Sequence, residues 1–178
     1  LASKHGHANC VTCLMKAGAP VQHILIRAAS FGDSEQLLVL LKAGAAADTE
    51  VASEAMLSAC CAGHRGIVQL LLHAGGSVFK QDRSHGRSAL HLASIHGHAA
   101  VVKTLLAAGA PINAADPGGS SALQLAVDAS QLAAVEELLK SGAALERRGA
   151  DWESLLSRAT DSAVRSKLEA ERNRRLLE

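Results

Sequence analysis

The residues best suited to chemistry in this chain are cysteines and histidines. Cys10-Val11-Thr12-Cys13 is a C-x-x-C pair, and His7 lies three residues before it. That spacing can hold zinc or carry thiol–disulfide exchange. Cys60-Cys61 is a second, contiguous pair, and nine histidines are spread along the sequence. A structural zinc site normally takes four ligands. Nucleophilic catalysis needs a nucleophile beside a base, yet Ser120-Ser121 and Gly118-Gly119 read as turn residues. Neither a G-x-S-x-G elbow nor a phosphate-cradling loop occurs. Whether any of these side chains converge depends on the elements that carry them.

Composition narrows those elements. Of 178 residues, 35 are Ala and 26 are Leu, while Phe31, Phe79 and Trp152 are the only aromatics. Ala and Leu are good helix formers, and the residues that favour strands are scarce. An all-β sandwich or barrel is therefore excluded. With 18 basic and 17 acidic residues the net charge is +1. A dedicated nucleic-acid module needs a strongly basic face and rings for bases to stack on, so nucleic acid is not the expected partner. Hydrophobic residues at 48% argue against disorder. No apolar run approaches the roughly 18 residues that cross a bilayer, so direct membrane insertion is not expected. Four cysteines suit a reduced, intracellular protein.

The glycines reveal a repeat. Gly6 and Gly18 are twelve apart, as are Gly32 and Gly44, Gly63 and Gly75, and Gly97 and Gly109. Ser130 replaces the first glycine of a fifth pair, and Gly142 follows it by twelve. From unit to unit the second glycine advances by 26, 31, 34 and 33 residues. After Gly97, Val101, Val102, Leu105 and Leu106 fall on one helical face. The same face recurs as Leu37, Leu40 and Leu41, as Ile67, Val68, Leu71 and Leu72, and as Val135, Leu138 and Leu139. The first glycine of each pair turns a short helix tightly into the next. The second ends that next helix, where a left-handed residue is wanted. Each unit is thus a pair of short helices that cannot bury its own apolar face, so the units must stack. Ala lets neighbouring helices approach closely.

The unit resembles an ankyrin repeat. Gly86-Arg87-Ser88-Ala89-Leu90-His91-Leu92-Ala93-Ser94-Ile95-His96-Gly97-His98 carries the resemblance, continued by Val101-Val102, Leu105-Leu106, Gly109-Ala110 and Asn113. Ser88-Ala89 stands where the family has Thr-Pro, and Ser can still cap a helix. The resemblance implies an all-α solenoid of stacked helix-turn-helix units with short β-hairpin fingers. About five repeats are expected, over residues 1–21, 22–48, 49–79, 80–113 and 114–145. Residues 146–178 read as a degenerate repeat followed by a charged capping helix with a stripe of Val164, Leu168 and Leu176. The advances place fingers around Asp116-Pro117-Gly118-Gly119 and through Asp82 to Gly86. A trimmed finger is expected near Asp48 to Ser53, and a direct crossing at Pro20-Val21-Gln22-His23. Leu1 to His7 begins inside a repeat, so the chain reads as a segment of a longer protein or a part of a larger complex.

That frame reassigns the reactive residues. Cys10 falls on an apolar second-helix position, and Cys60-Cys61 lies two units away, so buried thiols are expected, with Cys61 facing outward. His7, His64, His91 and His98 occupy family positions that the resemblance gives to structural hydrogen bonding. His5 and His96 are outward positions three layers apart. Asn113 resembles a hairpin asparagine that is hydroxylated in some ankyrin proteins. Trp152 either covers the edge of the last core or anchors an interface, and the former is favoured. No metal, cofactor or catalytic site is expected.

What remains is the groove. In the family its surface is lined by outward positions of the first helices and by finger tips. Here those are Lys4, His5, Ser30, Phe31, Cys61, Ala62, Ile95, His96, Asp128 and Ala129, with Arg83, Ser84, Arg87, Pro117 and Ser120 at the tips. Large apolar Phe31 and Ile95 along one groove favour a partner contact. The expected function is a non-enzymatic scaffold that binds another protein through this concave face. The alternatives are an accessory subunit embedded in a permanent assembly and a regulatory array within a longer enzyme or channel.

Overall fold

The structure, a computed structural model, describes residues 22–45, 48–144 and 152–177. Lys4, His5, His7, Cys10, Cys13, the glycine pair Gly6 and Gly18, Pro20 and Val21 lie outside them, and with them the first expected repeat. The described helices, in chain order, are α1 (Gln22–Phe31), α2 (Ser34–Lys42), α3 (Thr49–Ala62), α4 (Arg65–His73) and α5 (Ala89–Ile95). They continue as α6 (Ala99–Ala107), α7 (Ala122–Asp128), α8 (Leu132–Lys140), α9 (Trp152–Arg158) and α10 (Ser162–Leu176).

The helices form two layers. Odd-numbered helices pack in series from α1 to α9, and even-numbered ones from α2 to α10. The expected Leu/Val faces lie between the layers. Leu37, Leu40, Ile67, Val68, Leu71, Val101, Val102, Leu105, Val135, Leu138 and Leu139 are buried. Alanine works at the contacts between first helices. Ala28, Ala29, Ala52, Ala55, Ala59, Ala89, Ala93, Ala122 and Ala126 are at most 1% exposed, so the absent side-chain bulk allows close approach.

The turns within the first four described helix pairs are left-handed, at Gly32, Gly63 and Gly97 and also at Ser130, whose φ is 55°. Helices α2, α4, α6 and α8 each close with a reciprocal bond pair. At the end of α6, Gly109 N–H donates to Leu106 O and Ala110 N–H to Leu105 O, both at 3.0 Å.

The expected β-hairpin fingers are not formed as hairpins among the described residues; in their places stand turns, each closed by a single bridge. Antiparallel bridges join Gln81 to Ser88 and Ala115 to Ser121, and no longer ladder forms among the described residues. The trimmed finger expected near Asp48 to Ser53 is absent. Those residues open α3, a 14-residue helix, twice the length of the 7-residue α5 and α7. The reason is local. Asp48 Oδ1 accepts from Glu50 N–H at 2.8 Å, a good N-cap, and no Gly or Pro follows to force a turn. Only residues 43–48 join α2 to α3, whereas 74–88 join α4 to α5 and 108–121 join α6 to α7.

At the C-terminal end α10 packs on α8 and α9 as a cap. Val164 and Leu168 are buried, but Leu176 is exposed, so the expected three-residue stripe is two residues long. By Leu176 the helix has run past the core it covers. Trp152 packs on the core edge, with the Arg175 guanidinium 5.9 Å from its ring centroid.

Candidate protein-interaction groove

The scaffold beneath the groove is held by a ladder of histidines. His64 Nε2 donates to Ser30 O at 3.1 Å, and His98 Nε2 donates to Cys61 O at 3.0 Å. Each imidazole thus reaches the turn of the preceding unit and lies against its glycine. A Cβ on Gly63 would sit 2.6 Å from the His98 ring. The third rung differs. Gln131 replaces histidine, packs against Gly97 and donates to Ala129 O in its own unit at 3.1 Å. His91 does a separate job. Its Nδ1 accepts from Ser88 N–H at 3.2 Å, and its Nε2 donates to Ala114 O at 3.0 Å. It therefore joins the start of α5 to the following finger. Burial pulls its pKa below 6.5, against the pull of the Ala114 carbonyl and Asp116.

The fingers are tied by carboxylates. Asp82 accepts from the backbone N–H of Arg87 at 2.5 Å and of His85 at 3.2 Å. Asp116 accepts from Ser120 N–H at 2.9 Å and from Arg87 Nε at 3.3 Å, which links one finger to the next. Burial alone would raise both carboxyls, but these donors hold both below 3.8. Arg87 is accordingly half-buried and engaged, while Arg83 and Ser84 at the tip are exposed, with Arg83 Nη2 4.0 Å from Glu50 Oε1 at the start of α3.

On the first helices, Phe31 is 78% exposed, Ala62 and His96 are exposed, and Ser30, Cys61 and Ile95 are half-buried. Ile95 is thus less free than expected. Asp128 is exposed, but Arg158 grips both its carboxylate oxygens, with Nε 2.7 Å from Oδ1. The groove's C-terminal end is therefore occupied by the chain itself. Pro117 is exposed, and Ser120 and Ala129 are half-buried. Sequence reasoning passed over Arg27 and Ser58. They lie one helical turn before Phe31 and Ala62, and that four-residue spacing was the available signal.

Neither described cysteine carries an activating environment. Burial raises both thiols, with Cys61 adding to Cys60 and Asp82 adding to Cys61. No His/Cys/Asp/Glu cluster able to hold a metal occurs among the described residues. No described helix is long and apolar enough to cross a membrane.

A family model for ankyrin repeats (3 copies) matches residues 25–116 and 56–149. The chain belongs to the ankyrin-repeat family. Over 82 residues it is 35% identical to the probable E3 ubiquitin-protein ligase XBOS32 of Oryza sativa subsp. japonica, which covers 45% of this chain and 16% of that one. Over 103 residues it is 34% identical to the E3 ubiquitin-protein ligase XBAT33 of Arabidopsis thaliana, 56% of this chain and 20% of the other. The chain therefore spans a fifth or less of the curated relatives it matches. Ankyrin repeats are non-catalytic and generally bind other proteins.

Proposed function

We propose that this array is a non-enzymatic interaction module that binds a partner protein through its concave face, inside the cell. One observation carries the reading. Phe31, Ala62 and His96 form a row of exposed side chains, one per stacked layer, and the finger tip at Arg83 and Ser84 is exposed as well. A ring 78% exposed on a rigid helix end is a ready anchor, because it loses little conformational freedom on binding. The test is recovery of partners by wild type and by a Phe31→Ala/Arg83→Ala double variant. The double variant should melt like wild type and recover its partners at least about tenfold less well. Equal recovery by both would reject the concave face as the binding surface.

The ligase relatives favour a second reading for the whole protein. The array would then recruit a substrate to a ubiquitin-transferring domain elsewhere in a longer chain. Sequencing the full transcript tests it: a ligase domain in the same reading frame supports the reading, and a complete frame without one ends it.

A further inference from the structure

The concave face is not uniform along its length. α5 and α7 are short and each is entered through a finger, and their Leu92 and Leu125 are only 8% exposed. The same position, five residues before the turn, is Arg27 on α1 and Ser58 on α3. Arg27 is exposed and Ser58 half-buried. Four residues earlier stand exposed His23 and half-buried Glu54. His23, Arg27 and Phe31 therefore form one ridge at i, i+4 and i+8. Glu54, Ser58 and Ala62 form a second, on the neighbouring helix. Two adjacent i±4 ridges leave between them the kind of groove into which a ridge of a third helix packs.

We propose that this uncovered face of α1 and α3 is the seat for one amphipathic helix of a partner protein. The inference rests on the concave-face reading above and specifies the kind of partner. Charge sets its chemistry. The α1 ridge is cationic at Arg27, which forms no ion pair among the described residues, and the α3 ridge is anionic at Glu54. The apolar ends of both ridges are Phe31 and Ala62. A complementary helix carries an apolar anchor for Phe31 and Ala62, an acidic edge toward Arg27 and a basic edge toward Glu54. Backbone hydrogen bonding separates this helix from an extended peptide. The backbone groups of α1 and α3 are spent within their own helices, so no strand edge is offered here. An extended segment would lay its N–H and C=O groups on a surface that cannot pair them, whereas a helix satisfies its own.

Two peptide libraries selected against the full chain test this, one on a pre-formed helical scaffold and one Pro-containing and unable to form a helix. Winners are measured by fluorescence anisotropy against wild type, R27E, F31A and R83E. Both seat substitutions fall on exposed side chains, and circular dichroism checks that each variant keeps its helices. The helical library should supply the winners, with acidic and basic residues on opposite edges. Their affinity should fall at least about tenfold with F31A and with R27E, and less than about threefold with R83E. An acidic-to-Lys change in the peptide should recover binding to R27E. Non-helical winners that lose affinity with R83E but not R27E would overturn the helical seat and leave the concave-face reading standing. Winners indifferent to all three variants would reject both. Sedimentation showing a dimer that F31A breaks would assign the seat to a second copy of the chain and overturn the partner helix.

Discussion

At the residue scale, the same left-handed conformation carries different burdens at different turns. Gly63 and Gly109 have φ of 80° and 86°. Gly109 has nothing within 4 Å of an added Cβ, whereas Gly63 meets the His98 ring. Gly109→Ala should therefore cost only the left-handed strain, about 1–2 kcal/mol. Gly63→Ala should cost that and also displace His98 from Cys61 O, adding about 1 kcal/mol or more. Urea unfolding of both variants checks the order, and equal destabilisation would show that the histidine rung adds nothing. The glycine spacing made every such turn legible in the sequence, because it repeats. The partner of each glycine was not legible, since it sits in the next unit, more than thirty residues on. Ser130 shows the limit from the other side. Its place in the frame was readable, but its hydroxyl contact with Thr160 at 3.1 Å crosses into a unit where the repeat pattern had faded.

At the element scale, α5 and α7 begin with the same device in two chemistries. In α7, Gln124 Oε1 accepts from Ser121 N–H at 2.8 Å, and Ser121 Oγ accepts from Gln124 N–H at 3.3 Å, a full capping box. In α5, His91 Nδ1 takes the place of Gln124 Oε1 and must stay unprotonated to accept. Its folded pKa lies below 6.5, so below about pH 6.5 the unfolded chain binds more protons. This contribution to stability is therefore full above that pH and is lost as pH falls through the folded value. Asp82 and Asp116, both held below 3.8, lose theirs only in more acidic solution, which separates the two windows. His91→Gln should keep the cap, drop the bond to Ala114 O and flatten the decline as pH falls below about 6.5. Thermal melts across that range check it, and an unchanged slope would place the titration elsewhere. The α3 extension was the element that the sequence misled on. A 31-residue advance counts residues but does not say whether they turn or coil, and the Asp48 cap decided for helix.

At the scale of the whole molecule, a solenoid is nearly one-dimensional, and each unit is only as stable as its two neighbours make it. The Leu/Val faces and the existence of a charged last helix were plain in the sequence, because periodicity alone gives both. Which of that helix's apolar residues reach the core was not, because its end runs beyond the array. The C-terminal end is closed by few contacts. Val164 and Leu168 bury against α8 and α9, Lys167 Nζ meets Glu136 at 3.0 Å, and Arg175 Nη1 donates to Ala143 O at 3.3 Å. The exposed ion pair adds little, so the two apolar side chains should carry the cap. Val164→Asp/Leu168→Asp removes two buried side chains, each contributing about 1.5–3 kcal/mol, and would bury two unpaired carboxylates if α10 stayed docked. The helix should therefore undock and leave Leu138, Leu139 and Leu155 without cover. Because coupling runs between nearest neighbours, the loss should be graded along the array. Amide exchange should quicken most in α8 and α9, less in α6 and α7, and least in α3 and α4. Exchange that quickened equally from α3 to α9 would instead show a single cooperative unit, in which the cap stabilises the distant partner-facing helices as strongly as its neighbours.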